Sequence, residues 1–333
     1  MKTKNLIILV IVVSLCIGGF FVWQNIFKET IPQPPSGKVS VYKGFWMPVA
    51  FYYPHDSHSM TDEKLVEDVG ANIVGLGPTV KININGEVKY AEPFSSDNIE
   101  QQLATLVKKY YEVGIRIHLV IELFYEEEFT RGGGEPKPIP ITVATKEGFL
   151  DKYNLIVEDM ALLADKYRVE MFSPMNEPDY KLGAKTSSEW GQKILPIVRK
   201  NYNGKVVFKG SLAHDLDDDI NFKGYDAIGF SISPEESIEG YEQKAISIIQ
   251  KILGWAERDD VSEVIATEFG VWGGASRFDE NTKITAHKII FEQGQGKLKG
   301  FIVFDPPSDQ GWSLKQSPNL LEEIKEEFTG ILD

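Results

Sequence analysis

The sequence predicts an α/β protein in which eight short strands alternate with helices and close into a (β/α)₈ barrel. Three observations predict this fold class. Apolar runs of strand length recur from Phe45 to Phe304, amphipathic stretches of helical length separate them, and the chain has 333 residues. Strands that are apolar throughout are typical of a parallel sheet buried on both faces, and one such barrel takes ~250 residues. An open doubly wound sheet is the alternative arrangement of the same units.

The eight predicted strands are spaced so that most intervals hold one helix. The strands are expected at residues 45–51, 72–76, 115–123, 169–174, 206–209, 227–232, 264–267 and 300–304. The clearest helical patterns cover residues 97–113, 146–167, 187–202, 239–257 and 279–293. Several of them begin with Ser or Asp, as helix N-caps do, and Gly114 follows the first of them as a C-terminal cap would. Catalytic groups of such barrels lie at the carboxyl ends of the strands.

The N-terminus differs from the rest of the chain and predicts a hydrophobic anchor. Lys2 and Lys4 precede an apolar run over residues 6–23, close to the ~20 residues that a spanning helix needs. Basic residues before such a run keep the N-terminus inside and send the rest out. A cleaved signal peptide is the competing interpretation. We therefore expect a signal anchor or signal peptide over residues 1–26, a Pro-rich linker over 27–40 and the barrel over 41–333, placed on the extracellular face of the membrane or secreted.

Composition excludes some classes of protein. The net charge is −14 and the pI is about 5.0, whereas nucleic-acid binding needs a basic face. Cys16 is the one cysteine and lies in the N-terminal apolar run, so the barrel cannot form an internal disulfide. We expect a monomer without a cofactor.

Two glutamates each end an apolar strand of the predicted barrel, where a charge has no structural purpose. Glu177 follows the fourth strand and Glu268 follows the seventh. Both strand ends open on one barrel mouth, so the two carboxyl groups are expected in one pocket. Glycoside hydrolysis requires such a pair, one protonated and one ionised, because burial and neighbouring charge push the two pKa values apart.

The tripeptide Asn176-Glu177-Pro178, together with Glu268 in Thr267-Glu268-Phe269-Gly270, resembles clan A of the glycoside hydrolases, the retaining four/seven superfamily. The resemblance covers the whole barrel and is closest to endo-acting cellulases and mannanases. It implies that Glu177 is the acid/base, that Glu268 is the nucleophile and that Asn176 binds the sugar 2-hydroxyl. The implied substrate is an oligo- or polysaccharide.

Two features depart from the pattern of this clan. Many members carry a tyrosine at the end of the sixth strand that hydrogen-bonds the nucleophile, but residues 229–233 contain none. Ser231, Ser233 or Tyr241 are the possible substitutes. Many members also carry a tryptophan at the end of the eighth strand, where this chain has Phe304-Asp305-Pro306. These differences concern the family and the substrate more than the chemistry.

A polysaccharide cleft needs aromatic platforms and a few polar groups that orient the sugar. The strand ends offer both kinds of side chain. The residues expected to bind substrate, besides Asn176, are Trp46, His55, Glu122, Tyr180, Trp272 and Trp312.

Two other functions are compatible with parts of the sequence. A catalytically silent carbohydrate-binding barrel would explain the missing tyrosine, although binding alone does not need an acid/nucleophile pair. A metal-dependent hydrolase would use His55, His58, His214 and Asp305. The spacing of these residues does not follow the His-x-His pattern of that class, and the sixth strand has no histidine. We therefore predict no metal site.

Overall fold

The structure is a computed structural model. It describes residues 33–48, 50–51, 60–126, 143–211, 220–234, 237–271, 278–305 and 313–331. The chain divides into two compact units, Met1–Pro32 and Gln33–Asp333. The first unit, which contains the predicted anchor, lies outside the described residues. Within the described residues, no helix is long and apolar enough to cross a membrane.

Eight parallel strands close into a barrel, which confirms the predicted fold class and excludes the open sheet. In spatial order they are β1 (Tyr42–Trp46), β2 (Ile73–Leu76), β5 (Arg116–Val120), β7 (Met171–Ser173), β8 (Lys205–Gly210), β9 (Ala227–Ile232), β10 (Glu263–Phe269) and β11 (Gly300–Phe304), and β11 pairs with β1. The bounds of β9 and β11 are those predicted. The first strand begins and ends earlier than predicted, because the chain turns away after Trp46, where the amide of Met47 donates to the carbonyl of Gly75.

Helices follow most of the barrel strands and cover the outside of the barrel. The described residues form α1 (Glu63–Asp68), α2 (Ile99–Tyr111), α3 (Val143–Lys166), α4 (Pro178–Leu182), α5 (Ala184–Asn201), α6 (Tyr241–Asp259), α7 (Glu280–Gly294) and α8 (Pro318–Gly330), with a 3₁₀ turn at Leu314–Gln316. The five predicted helices match α2, α3, α5, α6 and α7 to within three residues at each end. Helices α1, α4 and α8 were not predicted.

A second, three-stranded sheet lies beside the barrel mouth and was not predicted. It consists of β3 (Thr79–Ile82), β4 (Val88–Tyr90) and β6 (Glu122–Tyr125), with β3 in the centre. The predicted third strand, 115–123, is therefore two strands, since β5 pairs within the barrel and β6 pairs with β3. The small sheet places Glu122, the first residue of β6, at the barrel mouth.

The barrel interior is filled by side chains from all eight barrel strands. This core consists of Tyr42, Trp46, Ile73, Val120, Met171, Val207, Ala227, Ile265, Ile302 and Phe304. Side chains alternate between the two faces of a strand, so Lys205 and Lys209 lie on the same inner face of β8 as Val207. The two lysines therefore stand at opposite ends of one interior column.

The end of the predicted linker lies against the bottom of the barrel, where the strands begin. Arg116, the first residue of β5, donates from Nη2 to the carbonyl of Gly37 at 2.9 Å and also reaches the carbonyls of Pro35 and Ser36. Lys299, just before β11, donates to the carbonyl of Val39 at 3.0 Å. Residues 33–40 thus cross the face of the barrel opposite to the mouth before they enter β1.

Candidate active site

The two predicted catalytic glutamates lie at the carboxyl ends of β7 and β10, at the same mouth of the barrel. Glu268 is the sixth residue of β10 and is 9% exposed. Glu177 follows β7 directly before α4 and is half-buried. The amide of Glu177 donates to the carbonyl of Lys209, whose side-chain Nζ lies 2.6 Å from Glu268 Oε2. The two glutamates therefore belong to one site.

Glu177 has a backbone conformation that few residues adopt. Its φ is 50° and its ψ is 53°, in the left-handed region, which costs a side-chain-bearing residue about 1–3 kcal/mol. Two hydrogen bonds fix the backbone around it, from the amide of Glu177 to the carbonyl of Lys209 at 2.8 Å and from the amide of Asn176 to the carbonyl of Ile121 at 2.8 Å. Pro178 then begins α4 at a position that suits its fixed φ. The turn separates the strand from α4 at the residue that carries the predicted acid.

A β-bulge places Glu268 in the barrel interior. Glu263 begins β10 and Ile265 points into the core, so strict alternation would direct Glu268 outward. The register with β9 and β11 shifts between Ala266 and Phe269, and such a shift redirects the side chains that follow it. Thr267 and Glu268 consequently both reach the inner side: Gly229 leaves room for the Thr267 methyl, and Glu268 contacts Lys209.

Lys209 is the partner of Glu268 and was not predicted from the sequence. Its side chain is fully buried, and its Nζ lies 2.6 Å from Glu268 Oε2. The same Nζ hydrogen-bonds Asn176 Oδ1 and stands 4.9 Å from the centre of the Trp46 ring. The signal was available, because Lys209 is a charge at the end of an apolar strand, the rule that identified both glutamates.

Asn176 links the two halves of the site. Its Nδ2 donates to Glu122 Oε1 at 2.5 Å, while its Oδ1 accepts from Lys209. These partners fix the orientation of the amide, since the flipped amide would place an NH₂ group against the ammonium of Lys209. Asn176 also forms a bridge to Lys209 through the backbone. One Nδ2 hydrogen remains for a sugar hydroxyl, which is the role that the sequence resemblance implies.

Burial and neighbouring charge raise the pKa values of two carboxyl groups in the site. Burial is the largest cause that raises the pKa of Glu268 to about 7; Lys209 lowers it, while Glu177 and Glu122 raise it. The pKa of Glu122 is also raised, again mainly by burial, against the opposing effect of Lys181 and Lys209. The site therefore combines three carboxyl groups with the two lysines Lys181 and Lys209. When one carboxyl group is protonated, the two remaining negative charges balance the two positive charges.

The three proposed substitutes for the missing tyrosine have other environments. Ser231 pairs with Glu268 in the register of β9 and β10, yet its hydroxyl and that of Tyr241 have no hydrogen-bond partner among the described residues. The hydroxyl of Ser233 donates to the carbonyl of Pro234 at 3.1 Å. The donor that the structure shows for Glu268 is Lys209.

The remaining predicted binding residues fall into three groups. Trp46 is 1% exposed and packs in the core, with Lys209 over its ring. Tyr180 lies half-buried in α4, three residues after Glu177. His55, Trp272 and Trp312 lie outside the described residues, and their roles stay predictions.

Glu122 and His118, which both lie in the predicted third strand, have defined partners. Glu122 binds Asn176 and is not paired with Arg116, which contacts Glu170 at the other end of the barrel. His118 hydrogen-bonds the hydroxyl of Ser173 at 2.8 Å and is fully buried in the barrel interior. Burial lowers the pKa of His118 to about 3, so the ring is neutral at ordinary pH.

The described part of the chain contains no group of three His, Cys, Asp or Glu residues that could hold a metal ion. Asp305, at the end of β11, accepts a hydrogen bond from the amide of Met60 at 2.7 Å. His55, His58 and His214 lie outside the described residues.

Comparison with solved structures relates this barrel to carbohydrate-active enzymes. A GH113 β-1,4-mannanase is 13% identical, with a TM-score of 0.66 over 88% of this chain and 100% of that one. The feature that the two chains share is the (β/α)₈ barrel fold. A GH113 β-mannanase from Alicyclobacillus acidocaldarius is 14% identical, with a TM-score of 0.66 over 89% of this chain and 99% of that one. A family 5 xyloglucanase from Paenibacillus pabuli is 12% identical, with a TM-score of 0.62 over 87% of this chain and 98% of that one.

At these identities the likeness establishes the barrel fold. This is the fold that the resemblance of Asn176-Glu177-Pro178 and Glu268 to clan A implies. No protein-family model matches the chain, and no curated protein matches it in sequence.

Proposed function

We propose that this protein is a retaining glycoside hydrolase that cleaves β-linked glycans by double displacement. The observation that carries the proposal is that Glu177 and Glu268 lie at one barrel mouth and share Lys209, whose carbonyl accepts from the Glu177 amide and whose Nζ contacts Glu268. Two carboxyl groups in one pocket are the minimal machinery of glycoside hydrolysis. A purely binding barrel would gain nothing from burying Glu268 beside Lys209 at the cost of desolvating both charges.

Glu268 is the nucleophile in this proposal, and Glu177 is the acid/base. The Glu268 carboxylate attacks the anomeric carbon while Glu177 gives its proton to the departing glycosidic oxygen, which breaks the C–O bond and leaves a glycosyl ester on Glu268. Glu177 then takes a proton from water, whose oxygen attacks the same carbon and releases Glu268. Each proton and electron pair is returned, and the product keeps the configuration of the substrate. A retaining mechanism predicts that the carboxyl groups of Glu177 and Glu268 lie ~5–5.5 Å apart.

The substrate class that we propose is a β-1,4-linked mannan or glucan, cut within the chain. The structural neighbours are named as β-1,4-mannanases and a xyloglucanase, and the sequence around Glu268 resembles endo-acting cellulases and mannanases. Asn176, Glu122 and Tyr180 lie at the mouth as candidates for sugar contacts. Activity of the purified full chain on mannan, glucan, xylan and galactan, measured as new reducing ends, identifies the polymer.

We also propose that the protein acts outside the cell, held at the membrane by residues 1–26. The basis is the charge of Lys2 and Lys4 before the apolar run. Protease added to intact cells should then remove the barrel. A barrel that stays protected in intact cells but not in lysed cells contradicts this location.

Two substitutions separate the catalytic roles. Glu268→Gln should abolish turnover of every glycoside, because the attack is needed whatever the leaving group. Glu177→Gln should abolish cleavage of glycan, yet on a dinitrophenyl glycoside it should form the glycosyl-enzyme and stall, since no base activates water. Added azide needs no base and should release a β-glycosyl azide.

Glu263→Gln is the matched control, because Glu263 begins the strand that carries Glu268 and pairs with Lys205 at the opposite end of the barrel. This variant should keep wild-type activity. An α-azide from Glu268→Gln would reverse the two roles. Unchanged glycan cleavage in both active-site variants would refute the glycosidase proposal, and binding of glycan without cleavage by the wild type would favour the silent carbohydrate-binding barrel.

A further inference from the structure

The barrel interior contains a buried cation that the double-displacement mechanism does not itself require. Lys209 is fully buried, and a lysine in such a position costs several kcal/mol unless partners replace its water. Its ammonium has three donor hydrogens. The structure offers three partners: Glu268 Oε2 at 2.6 Å, Asn176 Oδ1, and the face of Trp46 at 4.9 Å.

We propose that Lys209 is a positioning residue, which aligns Glu268 and Asn176 toward the substrate and keeps Glu268 in its carboxylate form. This inference rests on the proposed function. It assigns to a lysine on the fifth barrel strand the contact with the nucleophile that a tyrosine on the sixth strand makes in many clan A enzymes.

The charges around Glu268 explain why such a cation is needed. Glu177 and Glu122, from the loop after β7 and from β6, place negative charge near Glu268 and favour its protonated form. Burial acts in the same direction. Asp305 follows the last residue of the neighbouring strand β11, and β9 contributes the neutral Ser231. Against these effects stands the ammonium of Lys209, in direct contact with Glu268.

The contact with Asn176 gives Lys209 a second task. Because Asn176 Oδ1 accepts from Lys209 and its Nδ2 donates to Glu122, the ammonium fixes which amide atom faces which side of the site. Loss of the ammonium would free the amide to rotate and would also release one oxygen of Glu268. A single side chain therefore sets the orientation of the nucleophile and of the residue beside the acid/base.

The same two strands carry a comparison pair at the bottom of the barrel. Lys205 Nζ lies 2.6 Å from Glu263 Oε1 and 5.0 Å from the centre of the Tyr42 ring, which repeats the lysine, glutamate and aromatic arrangement around Lys209. Lys205 and Glu263 lie at the strand beginnings, away from Glu177. If Lys209 only joined β8 to β10, removing its charge should have the same effect on activity as removing the charge of Lys205.

The experiment compares Lys209→Met with Lys205→Met in the full chain. Methionine keeps the length and the apolar stem of the side chain but removes the charge. Wild-type kcat/KM should fall on the acid side as Glu268 is protonated. Lys209→Met should move this acid limb upward by ~1–3 pH units, the range for losing an adjacent opposite charge, and lower kcat by ~10²-fold or more at neutral pH. Lys209→Arg should retain the wild-type acid limb, and Lys205→Met should keep both the limb and kcat.

A readout without turnover separates this inference from the proposed function. Glutamate carboxyl groups labelled with ¹³C can be titrated by NMR, and the Glu268 signal is the one that Glu268→Gln removes. Its titration midpoint should rise in Lys209→Met and not in Lys205→Met. Equal midpoints in wild type and Lys209→Met would overturn the inference even if the enzyme cleaves glycan. A raised midpoint in a protein that cleaves no glycoside would overturn the proposed function and leave the Lys209–Glu268 interaction standing.

Discussion

Two buried neutral histidines should make the barrel sensitive to acid. His118 lies in the barrel interior on Ser173, and His287 lies on α7, where Nδ1 contacts the carbonyl of Lys283 at 2.7 Å. Burial is the largest cause that lowers the pKa of His118 to about 3 and that of His287 to about 4. The unfolded chain binds protons at these residues near pH 6.5, so it takes up more protons than the folded chain between these values.

The magnitude follows from this difference. Lowering the pH from 7.5 to 5 stabilises the unfolded state by ~2 kcal/mol for each histidine, because the folded rings remain neutral over that interval. The stability is fully present above pH ~6.5 and is lost as the pH falls towards 4. Two histidines together therefore account for ~4 kcal/mol, a large part of the stability of an ordinary domain.

Urea unfolding at both pH values measures this effect. His118→Phe removes one titrating group and leaves the Ser173 hydroxyl without its partner, a loss that does not depend on pH. The free energy of unfolding of this variant should therefore be lower than that of the wild type at pH 7.5, but its decrease on going to pH 5 should be smaller by ~2 kcal/mol. His287→Phe should behave in the same way. The same decrease in wild type and both variants would refute the reasoning.

Three further predictions concern glycines, pH and the linker. Gly254 lies at an exposed position of α6 with no atom within 4 Å of an added Cβ, so Gly254→Ala should raise the free energy of unfolding by up to ~1 kcal/mol. Gly44→Ala would place a Cβ 1.8 Å from the carbonyl oxygen of Ile73 and should prevent stable folding. Urea unfolding measures both effects. Wild-type kcat/KM should decline below pH 7, where Glu268, whose pKa burial raises to about 7, is protonated; a profile that is flat from pH 8 to 5 contradicts this. Arg116→Met should expose residues 33–40 to protease without a change in kcat.

The barrel could be predicted because its strands are defined by burial alone. Strands such as β9 and β11 are buried along their whole length, so their limits coincide with those of the largely apolar runs. The third strand shows where this rule fails. The apolar run continues past Val120, yet the chain leaves the barrel there and pairs with β3, a choice that depends on a tertiary partner and not on local hydrophobicity.

Part of the second sheet was visible in the sequence. Val80 and Ile82 alternate with polar residues before Asn85-Gly86, which is a strong hairpin signal. The structure turns there and forms β3 and β4. This hairpin was not predicted, because runs of consecutive apolar residues indicate only the strands that are buried on both faces.

The sequence predicted the two glutamates of the candidate site, but it did not predict the backbone geometry that brings them together. The left-handed turn at Glu177 and the bulge before Glu268 have no sequence signature, because each arises where neighbouring strands stop pairing in simple register. Lys209 is different, since its position after Val206-Val207-Phe208 was as informative as that of the glutamates. A search for charges of both signs at strand ends would have found it.

The crossing of residues 33–40 beneath the barrel determines at which pole the described chain enters it. Arg116 and Lys299 hold this segment where the strands begin, whereas Glu177 and Glu268 stand where they end. The described chain thus enters the barrel at one pole, and the two glutamates stand at the other. Residues 33–40 therefore take up no room at the pole where Glu177 and Glu268 stand, and a substitution that loosens this segment acts on the opposite pole of the barrel.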